Sequence, residues 1–174
     1  MKFWLAATLL MSVTLHAMIA LGDVHTFHHN MDISLFPASS EIQIKDQIGI
    51  PKRLLSDTQT PISLKFSLHA GLVIHKVKGG EITTQASVVL HISGKINHPV
   101  QAPSQEYARS FSYTPGVITN QGVFLANSSA WYPQFLYPMV SFRLNIKVPD
   151  GWDAVSQGKL IHKRQDNSAK TIIW

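Results

Sequence analysis

The chain has 174 residues, of which 45% are hydrophobic and 14% charged, and it contains no cysteine. That length supports one domain with its own core, and the missing cysteines exclude disulfides, thiol catalysis and cysteine metal sites. The formal charge of +5 reflects a shortage of acids; Lys and Arg are scattered, with one dense patch at Lys159 to Arg164, so no clustered basic face for nucleic acid is indicated.

Residues 1–22 read as a secretory signal. Lys2 supplies the positive start, Phe3 to Leu15 is an apolar run too short for a comfortable bilayer span, and Ala20 to Gly22 offers small residues for cleavage before Asp23. Cleavage leaves a single domain, 23–174, exported to the periplasm or the extracellular space and without a stable membrane span; an uncut signal would instead anchor it.

The mature chain reads as strand after strand. Phe27, His29, Met31, Ile33 and Leu35 alternate with His28, Asn30, Asp32 and Ser34, the period of a half-buried strand. The same period recurs at Ile42, Ile44, Ile48 and Ile50, at Ile62, Leu64, Phe66 and Leu68, and at Val140, Phe142, Leu144, Ile146 and Val148. Shorter runs at Leu72–Val77, Val88–Ile92, Gly122–Leu125 and Ala154–Ser156 add strands. Turn chemistry at Gly79-Gly80, Asn97-His98-Pro99, Pro115-Gly116 and Pro149-Asp150-Gly151 separates them. This pattern predicts an all-β fold, an antiparallel β-sandwich or saddle-like sheet domain, with little helix beyond the signal peptide. One short helical turn is expected at Ser104–Phe111. Lys159 to Lys170 looks hairpin-like, and Thr171 to Trp174 reads as an apolar half-strand left without a partner, as in a domain truncated at its C-terminal edge.

Chemistry is thin. A zincin helix needs two His one turn apart with a Glu beside the first; none of the nine His is followed by Glu, and the three Glu are Glu41, Glu81 and Glu106 in separate segments. His25, His28 and His29 form one cluster, but on a strand His28 and His29 point to opposite faces and cannot share an ion. The expected arrangement is a solvated His28 with His29 packed at the sheet's edge. Asp150 and Asp153 are a close carboxylate pair that a tight turn explains, and Asn127-Ser128-Ser129 fits a glycosylation acceptor. No catalytic residue, metal ligand or cofactor site is therefore assigned to this chain. Trp131, Tyr132, Gln134, Phe135 and Tyr137, interleaved with Pro133 and Pro138, offer a surface that either bridges two sheets, binds a sugar or peptide, or contacts another domain.

The segment from Tyr107 to Gly158 resembles the amino-terminal β-domain of aminopeptidase N-like zinc metallopeptidases, the M1 peptidases. Trp131-Tyr132-Pro133 resembles the family's Phe/Tyr-Pro element, Val140–Val148 its alternating strand, Pro149-Asp150-Gly151 its turn, and Val155-Ser156-Gln157 its Ser-Asn position with Gln157 for Asn. Gln134-Phe135-Leu136-Tyr137-Pro138 stands where the family has Asp-Glu-Pro, as in a divergent bacterial secreted branch. The resemblance implies an accessory domain that packs on a catalytic domain missing from this chain and helps shape the peptide cleft. It also implies that zinc belongs to that missing domain. The alternative is a free-standing exported β-sandwich that binds a sugar, peptide or envelope partner.

Overall fold

Residue-by-residue alternation builds the centre of the molecule. The structure is a computed structural model that describes residues 26–51, 54, 63–79, 86–100, 114–136, 139–166 and 168–174. The signal segment, His25, Ile62, the turn expected at Ser104–Phe111, Tyr137 and Pro138 lie outside the described residues. Strand β1 (Phe27–Phe36) buries Phe27, His29, Met31 and Ile33 and exposes His28, Asn30 and Asp32 between them. Strand β2 (Glu41–Gly49) does the same with Ile42, Ile44, Asp46 and Ile48. A short 3-10 turn at Pro37–Ser39 joins them, closed by Ser40 in the left-handed region.

The remaining strands are β3 (Phe66–Ser67), β4 (Leu72–Gly79), β5 (Ser87–Lys95), β6 (Gly116–Thr119), β7 (Gly122–Leu125), β8 (Gln134–Phe135), β9 (Val140–Pro149), β10 (His162–Asp166) and β11 (Ala169–Ile173). Seven form one sheet in the order β10-β11-β9-β1-β2-β5-β4, while β3 pairs with β8 and β6 with β7 as two-stranded ribbons. The all-β expectation holds. Within it one pairing departs from the antiparallel rule: β1 and β9 run parallel, Phe27 beside Val140 and Ser34 beside Lys147. A parallel pair needs a long crossover, and the connection from β1 to β9 includes β2, β4 and β5 of the same sheet and the short ribbon strands β3, β6, β7 and β8.

Those ribbons supply the second layer. Leu64, Phe66, Leu68, Val123, Leu125 and Phe135 pack against the buried face of the large sheet, and the Phe135 ring stacks on Phe27 with centroids 3.9 Å apart. Fully buried Ile42, Ile96, Ile118 and Ile172 join sheet and ribbons in one core, each side chain contributing about 2 kcal/mol by removal from water. β4 enters beside a close backbone approach. A Cβ on Gly94 would stand 2.0 Å from the Gly71 carbonyl oxygen, and one on Gly71 would stand 2.2 Å from that of Lys95.

Three expectations are corrected. Ala154–Ser156 is irregular rather than a strand. Among the described residues of the strand expected at Ile62–Leu68, only Phe66–Ser67 pairs, because this segment lies on the sheet as a cover and not within it. The last strand is not an unpartnered half-strand: β11 pairs with β10 on one side and β9 on the other. Ile172 is fully buried, and Trp174 exchanges two backbone hydrogen bonds with Leu144, at 2.9 and 3.1 Å.

Candidate functional site

The aromatic segment after β7 folds into a braced loop. Asn127–Ser129 makes a single 3-10 turn closed by Ala130 in the left-handed region. The His69 backbone N–H donates to Ala130 O at 2.8 Å, and the Ser129 hydroxyl donates to Ala126 O at 2.8 Å. The Tyr132 hydroxyl and the Gln134 side-chain amide both donate to Asn127 Oδ1 at 2.8 Å, and the same amide also reaches Asn127 O. Asn127 is thus the hub that fixes the loop, through its carboxamide oxygen and its carbonyl.

Between this loop, the β6–β7 ribbon, the first half of β9 and Val155–Gln157 lies an open groove of about 760 Å³. Trp131, Tyr132, Gln134 and Phe135, proposed above from sequence, are brought together along it. All four are half-buried, so they serve the two-layer packing and the groove at once. Phe124, Phe142 and Val155 extend its apolar lining and remain exposed.

The floor of the groove holds a feature that the sequence reading missed. His29, from the central strand β1, has its Nδ1 2.7 Å from Oδ2 of Asp46 on β2, and both side chains are fully buried. The two are diagonal neighbours, since His29 pairs in register with Ile48 and Asp46 with Met31; long side chains reach across such a diagonal. This corrects the placement of His29 at the sheet's edge: with β2 on one side and β9 on the other, it occupies the middle of the seven-stranded sheet. Burial pushes the Asp46 carboxyl above its ordinary value, while the hydrogen bond and charge of His29 pull the other way. Burial also raises the Tyr132 hydroxyl, with the nearby Asp46 charge adding to it. The Tyr132 ring stands edge-on to His29 with centroids 5.2 Å apart. His29 Nε2 and Asp46 Oδ1 have no hydrogen-bond partner among the described residues.

One signal was available. The alternation Ile42, Ile44, Ile48, Ile50 leaves Asp46 in the apolar phase, and a carboxylate there needs a buried partner. His29, in the apolar phase of the neighbouring strand, is that partner.

The other candidates separate. His28 faces the opposite side and shares a 2.8 Å hydrogen bond with the Ser141 hydroxyl. Asp153 accepts from Lys163 Nζ at 2.9 and 3.0 Å, and Asp150 accepts from Gln165 at 2.9 Å, so this pair ties the turn after β9 to β10. The Lys163 contact, followed by the Ala154 N–H, holds the Asp153 carboxyl below its ordinary value. His69 and His98 meet edge to face at 4.8 Å, and burial, then the charge of His98, lowers the His69 imidazole. Among the described residues no three His, Asp or Glu side chains are placed to share a metal ion. No helix among the described residues is long and apolar enough to cross a membrane.

No family model matches the sequence, and no curated protein matches it. Among solved structures, the M1 zinc metallopeptidase from Deinococcus radiodurans is similar with a TM-score of 0.51 at 11% identity, over 87% of this chain and 38% of that one. A mutant M1 zinc metallopeptidase from the same organism, bound to a Tyr-Ser-Ala substrate, gives a TM-score of 0.49 at 12% identity over 86% of this chain and 38% of that one. The likeness is one of fold. The chain spans about two-fifths of the length of these neighbours, 38% in each case.

Proposed function

We propose that this chain is the non-catalytic amino-terminal β-domain of an exported aminopeptidase N-like zinc metallopeptidase, packing against a catalytic domain and helping to shape its peptide cleft. The observation that carries the reading is the shape likeness to an M1 metallopeptidase, which takes in 87% of this chain but 38% of the neighbour. A chain in that relation supplies one domain and leaves the metal chemistry to the rest of the enzyme. The absence of any His followed by Glu in the sequence agrees with that division. Trp131, Tyr132, Gln134, Phe135 and Tyr137 are the surface assigned to the neighbouring domain or to the peptide. Zinc is assigned to the catalytic domain, and the signal at residues 1–22 supports a periplasmic or extracellular location.

A second reading rests on the open groove lined by Trp131, Tyr132, Gln134 and Phe135: a free-standing exported binding module whose groove takes a sugar or peptide. Immunoprecipitation from the source cells with antibody to residues 26–174 separates the two. Zinc-dependent aminopeptidase activity in the precipitate supports the first reading, and a precipitate with neither zinc nor activity supports the second.

A further inference from the structure

We propose that the open edge of β4 is a docking site for an extended peptide strand in which acidic and apolar residues alternate, added to the large sheet beside Val73 to Gly79. The inference stands apart from the metallopeptidase reading, since it rests on the edge of the sheet and not on the aromatic groove or on a catalytic domain.

The two ends of the sheet differ. β10 and β4 are its outermost strands, and each pairs within the sheet on one side. Such an edge presents backbone N–H and C=O groups that a further strand can meet. β10 is guarded: its residues, His162 to Asp166, are all polar and exposed, and Lys163 and Arg164 are held by Asp153 and Asp166. β4 is built otherwise. Val73 to Gly79 are all exposed, and three of them are apolar and β-branched: Val73 is 57% exposed, Ile74 37% and Val77 63%.

Register assigns these side chains to faces. Ile74 lies opposite Ile92 and Val77 opposite Leu90, and residues directly opposite share a face. Ile92 and Leu90 are buried, so the apolar row of the core reaches the edge and is open to solvent there. A strand alongside β4 with apolar residues at the matching positions continues that row.

The other face selects the strand. Lys76 lies opposite His91 and Lys78 opposite Val89, on the side turned away from the core. His75 is the extra residue of a bulge between Ile74 and Lys76, and its Nε2 is 2.7 Å from the Ser93 hydroxyl on that same side. Neither β4 nor β5 contains an acidic residue. From His91 the row runs on to Lys45 of β2 and Asp32 of β1, and that Asp32 is already 3.6 Å from Lys45. Lys76 and Lys78 have no ion-pair partner among the described residues. Acids at alternate positions of an added strand meet both lysines. The same lysines oppose a second copy of the chain, because β4 laid antiparallel on another β4 brings lysine against lysine. Charge therefore favours an acidic strand over self-association.

The test uses fluorescence anisotropy on the full chain at low ionic strength with three labelled heptapeptides. They are acetyl-Ser-Val-Glu-Val-Glu-Val-Ser-amide, the same peptide with Lys for Glu, and the acidic peptide with Pro for its central Val, which keeps the charge but cannot form a regular strand. The expected result is saturable binding of the acidic peptide, about tenfold tighter than either of the others, with 15N amide shifts centred on Val73 to Gly79. Lys76→Glu together with Lys78→Glu, both at exposed positions, keeps the fold and reverses the preference between the acidic and the lysine peptide. No saturable binding, equal affinity for the acidic and lysine peptides, full retention of binding by the proline peptide, or an unchanged order in the double variant overturns the proposal. So do amide shifts centred on the aromatic groove, or a dimer of the chain formed through β4.

Discussion

His29 and Asp46 meet inside the sheet, Nδ1 to Oδ2 at 2.7 Å, with neither side chain exposed to solvent. Removing one member leaves the other buried without a partner. Asp46→Leu alone is expected to destabilise the fold by about 3–5 kcal/mol, whereas the double change His29→Leu with Asp46→Leu recovers most of that loss. Urea denaturation of the three proteins reads the difference; a double variant as weak as the single one would mean that the pair is not the source.

The same pair sets a pH dependence. Burial raises the folded Asp46 carboxyl above its ordinary 3.8, against the pull of His29. The folded chain then holds that proton more tightly than the unfolded chain does. Asp46's contribution is therefore full below pH 3.8 and is lost as pH rises through the folded value. Stability relative to Asp46→Asn should fall as pH climbs from about 3 to 7. A relative stability that climbs over that range would reverse the sign of the argument.

Gly94 is a packing requirement. A methyl group there would lie 2.0 Å from Gly71 O, a backbone atom that cannot move without displacing the start of β4. Gly94→Ala is expected to cost about 1–3 kcal/mol or more, visible as a lowered thermal midpoint. Gly79→Ala, where nothing lies within 4 Å of the added carbon, should leave the midpoint close to native.

Ile172 tests the closing strand. Its side chain is fully buried between β9 and the core, so Ile172→Ala should cost about 2–5 kcal/mol. A loss below about 1 kcal/mol would mean that β11 contributes little to the domain.

Much of the fold is legible in the sequence because a period of two needs only one buried face. The alternations in β1, β2 and β9 each mark their buried residues, apart from the exposed Phe142 near the start of β9. What alternation cannot carry is which strand lies next to which. The parallel β1–β9 pair joins segments more than a hundred residues apart, as His28 and Ser141 illustrate, and no local pattern encodes it. Phe66 and Phe135 read as apolar residues with no assigned partner; they become a ribbon because the sheet beneath them needs a cover. The groove was half legible. Trp131 through Phe135 stand out by composition, but the polar floor depends on a diagonal contact between two strands, signalled in sequence only by Asp46 in an apolar phase.

The central claim, that this β-domain works as part of a larger exported metallopeptidase, is tested most directly by the mass of the polypeptide that carries it in the source cells. An immunoblot with antibody to residues 26–174 should show a band several times larger than the 19.3 kDa of this chain. A single band at or just below 19.3 kDa would contradict the claim and turn attention to the groove over His29 as the site of a free-standing binding protein.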